Sequence, residues 1–89
     1  MEKKLILLNV ERNEENVTLF FQLTTTNQEG KSLSRVCDKT YKQDSSQETG
    51  VYLNQAKQDL KEVFVRLFSE MEKSLSKINQ EIDTSFLEF

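Results

Sequence analysis

The chain has 89 residues, of which 36% are apolar, and its 12 basic and 15 acidic side chains give a formal net charge of −3. A chain of this length forms at most one small domain, here residues 1–89. The mixed charge argues against nucleic acid as the main partner, because duplex-binding proteins concentrate Lys and Arg on one face. The sequence has no His, so Ser-His-Asp and Cys-His catalytic groups cannot form within it. We therefore expect a protein that is not an enzyme.

Cysteine content and hydropathy bear on the compartment. Cys37 is the only cysteine, so it cannot form an internal disulfide of the kind that stabilises small secreted domains. The apolar run at residues 5–8 is shorter than the core of about 7–15 residues in a signal peptide. No stretch approaches the roughly 20 apolar residues that span a bilayer. These observations predict a cytoplasmic protein that does not bind membranes.

Three segments with strand patterning fill the first half of the chain, at about residues 4–10, 17–26 and 32–41. The second is the clearest, because Val17, Leu19, Phe21 and Leu23 alternate with polar residues, which is typical of a half-buried strand. Polar turns separate the segments at residues 11–16 and 27–30, and Gly30 can adopt the positive φ of a short hairpin loop. Short connections predict an antiparallel meander.

The second half has helical patterning, and the sequence predicts one long amphipathic helix over about residues 49–82. Ser45 and Glu48 have the spacing of a capping box at its start. On a straight helix nine apolar residues fall in one stripe about 100° wide, the width of a core-facing surface. They are Leu53, Leu60, Phe64, Leu67, Phe68, Met71, Leu75, Ile78 and Ile82. The chain is thus predicted to be an α+β domain, with the helix packed on one face of the sheet.

The predicted core joins this stripe to the first two strands. Its members are Leu60, Phe64, Leu67 and Phe68 from the helix with Leu8, Val10, Leu19 and Phe21 from the sheet. Strict alternation places Ile6, Leu8 and Val10 together on one face of the first strand, and Phe20 lies opposite the main apolar face of the second. One helix covers only one face of a sheet, so this pattern predicts a second contact on the other face.

A length comparison predicts self-association. A helix over residues 51–82 is about 48 Å long at 1.5 Å per residue, whereas strands of six to eight residues span about 20–27 Å. The helix should therefore overhang its sheet by about 20 Å, and a second copy of the chain is the expected cover. Alternatives are a break near residues 74–76 that folds the last turns back, or a different protein. The predicted interface contains Met71, Leu75, Ile78 and Ile82 with Phe86, Leu87 and Phe89 of an apolar tail at 84–89.

Other side chains are candidate sites of chemistry. Cys37 is best interpreted as a small, partly buried strand residue. Tyr41 and Tyr52, with Lys39 and Lys42, resemble a base-stacking surface, but tyrosines at the edge of the core are the simpler interpretation. No catalytic residue, cofactor or metal is predicted.

The expected function is protein–protein interaction. We expect a small regulatory or accessory protein that acts as a homodimer and serves as an inhibitor or adaptor of a larger protein. One alternative is a structural subunit of a phage or mobile-element particle. A second is weak binding of nucleic acid through a modest basic strip that includes Lys57 and Lys61.

Overall fold

The computed structural model describes residues 1–78 and 80–87, which form a three-stranded antiparallel sheet followed by two helices. The strand order is β1-β2-β3, so each strand pairs with its neighbour in the sequence. The predicted α+β class and antiparallel meander are confirmed. The elements are β1 (Glu2–Arg12), β2 (Asn16–Thr26), β3 (Ser32–Lys42), α1 (Thr49–Asp59), α2 (Lys61–Leu75) and a short 3-10 helix (Thr84–Leu87).

An asparagine side chain stabilises each of the two turns of the sheet by accepting backbone hydrogen bonds. Asn13 Oδ1 accepts hydrogen bonds from the backbone N–H groups of Glu15 and Asn16, at 2.8 and 2.7 Å. In the second turn Asn27 Oδ1 accepts from the N–H groups of Glu29 and Lys31, at 3.0 and 2.9 Å. Asparagine suits such turns because its short amide replaces a backbone acceptor. The second turn also uses Gly30 at φ 84°, a conformation that is strained for other residues.

β1 contains a β-bulge at Leu8. Leu7 pairs with Phe21, and Asn9 pairs with the adjacent residue of β2, Phe20, so Leu8 is an extra residue without a partner of its own. An extra residue shifts the alternation of side chains, because successive side chains on a strand point to opposite faces.

The bulge changes which residues of β1 belong to the core. Val10 pairs with Leu19, which is fully buried under the helices, so Val10 lies on the helix-facing side of β1. Leu8 is 48% exposed and is not part of the core. Leu7, rather than Leu8, packs against the buried cluster. The expectation that Leu8 and Val10 share a face is therefore wrong, because strict alternation does not hold across a bulge.

Two helices replace the single long helix that the pattern predicts. Leu60 separates them with φ −100° and ψ 2°. The hydrogen-bond ladder continues through this residue: its N–H donates to Ala56, and its carbonyl accepts from Phe64, both at 2.8 Å. The break is therefore a local departure from helical backbone angles at Leu60 rather than a loop. α2 ends at Leu75, and residues 80–83 are not helical.

Within residues 1–78 and 80–87, the helices do not overhang the sheet by the predicted distance of about 20 Å. Each strand has 11 residues and spans about 37 Å, which is longer than the roughly 20–27 Å expected for strands of six to eight residues. The helical segment from 49 to 75 is about 40 Å long, so the helices and the sheet have nearly the same length. The capping box is also absent, since Glu48 precedes α1 without a side-chain capping bond.

The core lies between β2 and the helices. The ring centroids of Phe21 and Phe64 are 5.3 Å apart at an interplanar angle of 67°, an edge-to-face contact. One polar side chain is buried here: Thr25 is fully covered, and within the described residues its Oγ1 has no hydrogen-bond partner. The buried hydrophobic residues of this cluster are Val17, Leu19, Phe21, Leu23, Tyr52, Ala56, Leu60, Phe64 and Met71.

Candidate protein-binding groove

The free edge of β1 carries the most exposed apolar surface of the sheet. Leu5, Ile6 and Leu8 are 43%, 36% and 48% exposed, and β1 has a neighbouring strand on one side only. β3 forms the other edge, where Val36 is the one large hydrophobic side chain exposed among its residues. An edge strand presents unpaired backbone N–H and C=O groups, so a long apolar edge favours pairing with another chain.

A groove runs beside this edge, between β1 and the helices. The helices pack mainly over β2 and β3, which leaves the helix-facing side of β1 partly open. The groove has a volume of about 400 Å³. Its apolar lining is formed by Leu5, Phe64, Val65 and Phe68, and we call it the β1–α2 groove.

Three lysines surround the β1–α2 groove, and Glu72 balances the charge of one of them, Lys3. Lys57 lies in the last turn of α1, and Lys61 begins α2. Lys3 reaches in from β1: its Nζ lies 3.3 Å from Glu72 Oε1 and 6.0 Å from the ring centroid of Phe68. The ion pair of Lys3 is exposed and contributes little to stability. An apolar floor with a positive rim suits a ligand that is both apolar and acidic.

The predicted interface residues divide into two groups. Met71 and Leu75 are each 1% exposed, so the chain itself covers them and they have no surface to offer a partner. Ile78, Ile82, Phe86 and Leu87 are 37%, 72%, 69% and 57% exposed. Phe89 lies outside the described residues.

Arg12 joins the end of β1 to the loop that precedes α1. Its guanidinium donates to Gln43 Oε1 at 3.0 Å, to Thr49 Oγ1 at 3.3 Å and to the Gln47 carbonyl at 3.0 Å. The same group lies 5.3 Å from the ring centroid of Tyr52. These contacts fix where α1 starts, and because they join residues more than 30 positions apart, the sequence pattern gave no sign of them.

Tyr41 and Tyr52, interpreted above as tyrosines at the edge of the core rather than a base-stacking surface, lie against each other. Their ring centroids are 6.1 Å apart, and Tyr52 is 5% exposed. The Tyr52 hydroxyl donates to the Asp44 carbonyl at 3.1 Å and accepts the N–H of Asp44 at 2.7 Å. Lys39 Nζ lies 5.8 Å from the Tyr41 ring centroid. Of the four side chains, Tyr52 thus acts as part of the core and holds the loop before α1.

Tyr41 has a strongly perturbed hydroxyl. It donates to Asp59 Oδ2 at 2.6 Å. Desolvation, followed by this hydrogen bond and the negative charge of Asp59, raises the pKa of Tyr41 from 10.0 to about 12. The hydrogen bond from Tyr41, together with one from Gln55, lowers the pKa of Asp59. Both shifts favour a neutral phenol that donates to a carboxylate.

We expect this pair to make stability fall at high pH. A group whose pKa is raised on folding stabilises the folded state below its unfolded pKa, here about 10, and loses that contribution as the pH rises towards 12. The difference in unfolding free energy between the wild type and Tyr41→Phe should therefore shrink between about pH 10 and pH 12. Urea unfolding across this range measures it. A constant difference would contradict the prediction.

Cys37 lies half-buried on β3, where desolvation and then the neighbouring Asp38 raise the pKa of its thiol. A raised pKa disfavours the nucleophilic thiolate. In the part of the chain that the structure describes, no three side chains of His, Cys, Asp or Glu are grouped closely enough to hold a metal ion. No helix among residues 1–78 and 80–87 is long and apolar enough to cross a bilayer.

Comparison with known proteins adds no relative. The chain matches no protein-family model, and no curated protein or solved structure is significantly similar to it. Function must therefore be inferred from the surfaces of the chain itself.

Proposed function

We propose that the protein is a small, non-enzymatic protein-interaction module that acts as a homodimer. The observation that supports this is the free edge of β1, which exposes Leu5, Ile6 and Leu8. A strand edge is complementary to itself, because two copies paired antiparallel about a two-fold axis exchange the same backbone hydrogen bonds. Pairing of β1 with its counterpart gives one continuous six-stranded sheet.

This arrangement changes where the dimer contact lies. The sequence pattern placed it on the last turns of the helix, of which Met71 and Leu75 are buried within the chain. The edge of β1 offers a contact that needs no unfolding of the core. It also leaves both copies of the β1–α2 groove facing each other, so the dimer presents a composite surface that a larger protein partner can bind. An accessory or adaptor role follows from that surface.

We expect Ile6→Lys to weaken dimerisation at least about tenfold, because a lysine on the pairing edge is the device by which natural sheets prevent edge-to-edge association. Ile6 and Val36 provide a matched pair. Both are cross-strand partners of Gln22, on opposite edges of the sheet, so Val36→Lys places the same charge in the same row without touching β1.

Light scattering over a range of protein concentrations tests the proposal. The wild type and Val36→Lys should approach twice the chain mass of 10.4 kDa, whereas Ile6→Lys should remain near the mass of one chain. A monomeric wild type at all concentrations would overturn the homodimer. A loss of dimer in Val36→Lys but not in Ile6→Lys would place the contact on the other edge.

A further inference from the structure

We infer that the β1–α2 groove binds a fatty carboxylate of medium chain length, with its carboxylate at Lys57 and Lys61 and its alkyl chain along Phe64 and Phe68. This ligand site goes beyond the proposed homodimer and does not need it, because all the residues that line the groove belong to one chain. The groove has two unpaired cations at one end, a neutralised cation at the other and an apolar floor between them.

Lys57 and Lys61 form the cationic end of the groove. They are four residues apart across Leu60, and the helical hydrogen-bond ladder continues through that residue. Residues at this spacing lie beside each other on a helix, with their Cβ atoms about 5–6 Å apart. Neither lysine forms an ion pair or a hydrogen bond within residues 1–78 and 80–87. Two neighbouring ammonium groups without partners can together bind one carboxylate through charge-assisted hydrogen bonds.

The opposite end of the groove has its positive charge neutralised. Lys3 lies there, with its Nζ 3.3 Å from Glu72 Oε1 and 6.0 Å from the ring centroid of Phe68. Glu72 is about 16 Å from Lys61 along α2, at 1.5 Å per residue, so the two ends are well separated. Positive charge is thus uncompensated at one end only. This favours a ligand with a single anionic head and an apolar tail over a ligand that carries acidic groups along its length.

The apolar floor sets the length of the tail. Phe68 lies about 10 Å beyond Lys61 and about 16 Å beyond Lys57 along the helix axis. An extended chain of about ten carbons has this reach, since carbon–carbon bonds are about 1.5 Å long.

The size of the groove favours a small ligand over a protein. Its volume of about 400 Å³ lies in the range of small-molecule sites, about 300–1,000 Å³, which are likewise mostly apolar with a few polar groups that fix the orientation of the ligand. A stable protein–protein interface takes roughly 20–30 residues from each side, far more than the groove provides. One alkyl chain with one head group therefore suits the groove by itself.

Isothermal titration calorimetry of the full chain with decanoate, below its micelle concentration, tests the site. Decyltrimethylammonium is the ligand control, because it has the same alkyl chain with a cationic head. One double variant carries Lys57→Gln and Lys61→Gln, which removes both cations of the head-group site. Its matched control carries Lys73→Gln and Lys77→Gln, which has the same change of net charge at the same spacing, and neither of these lysines lines the groove. NMR of the Leu and Val methyl groups locates the bound ligand.

We expect decanoate to bind the wild type and the Lys73/Lys77 variant with affinities within about twofold of each other. The Lys57/Lys61 variant should bind at least about tenfold more weakly, because hydrogen bonds to charged groups are lost. The methyl signals of Leu5 should shift on binding, whereas those of Val36, on the opposite face of the sheet, should not.

Equal binding of decanoate and decyltrimethylammonium would overturn the inference, because the lysines would then not select the head group. Equal weakening in the two double variants would also overturn it, since binding would then depend on net charge alone. A protein that is dimeric by light scattering but binds no decanoate would overturn the ligand site and leave the homodimer intact. Binding of decanoate by a monomer would support the ligand site and overturn the homodimer.

Discussion

Replacement of Phe64 by Ala should lower the free energy of unfolding by about 3–5 kcal/mol, the usual range for a buried Phe. Phe64 is 7% exposed, and its ring meets that of Phe21 edge to face at 5.3 Å. The substitution removes both this ring contact and the packing between α2 and β2. Since small domains have unfolding free energies of only about 5–15 kcal/mol, this loss is a large part of the total stability of the fold.

Chemical denaturation at one low protein concentration measures this effect without a contribution from dimerisation. Val65→Ala is the matched control, because Val65 is the next residue of α2 but is 62% exposed. Its change should stay within about 0.5 kcal/mol. Similar losses for the two variants would mean that α2 does not present its Phe64 face to the sheet.

Leu75→Asp should be the most damaging substitution in the last turn of α2, with an expected loss of at least about 3 kcal/mol, because it buries an unpaired carboxylate. Leu75 is 1% exposed, whereas Ile78, three residues later, is 37% exposed and lies beyond the end of the helix. Ile78→Asp leaves the new charge in contact with water. Its effect on folding should therefore be small, and any effect should fall on association.

Circular dichroism during denaturation and light scattering of the same samples separate these outcomes. Equal loss of stability in Leu75→Asp and Ile78→Asp would show that the core extends beyond α2. If Ile78→Asp leaves the dimer unchanged, Ile78 lies outside the contact, and the interface that the sequence pattern predicted at the end of the helix is wrong.

The strands were predictable because their signal is local. The alternation of Val17, Leu19, Phe21 and Leu23 in β2 depends on neighbouring residues alone. Local patterns of this kind predicted all three strands to within about two residues of their observed ends. The bulge at Leu8 was not predictable in this way. A bulge depends on how β1 meets β2, and the residues of β1 by themselves fit strict alternation equally well.

The helices illustrate a second limit. Buried residues at intervals of four advance 40° per step on a straight helix, since each residue turns by about 100°. Tyr52 and Ala56 then fall outside the stripe centred on Phe64, so the sequence pattern predicted that Leu53, rather than these two residues, faces the sheet. In the structure the helical angles are interrupted at Leu60, and Tyr52 and Ala56 of α1 lie in the buried cluster. No Pro or Gly marks this residue, so only the packing reveals the break.

The sequence pattern indicated only some of the residues that form the candidate groove. Lys57 and Lys61 were recognised as a basic strip because they are four residues apart on one helix. Lys3 and Leu5 complete the groove from a strand more than 50 positions away. Their contribution depends on the strand order and on how β1 pairs with β2. Neither can be predicted from a local sequence pattern.

The two asparagine turns have a consequence for how the chain folds. Every strand pair joins neighbours in the sequence through a short turn, so little loop entropy must be lost before the first contacts form. The sequence contains no proline and one cysteine, and prolyl isomerisation and disulfide exchange are the usual origins of slow refolding phases. Refolding of the monomer should thus follow a single exponential, and any slower phase that depends on concentration reports assembly.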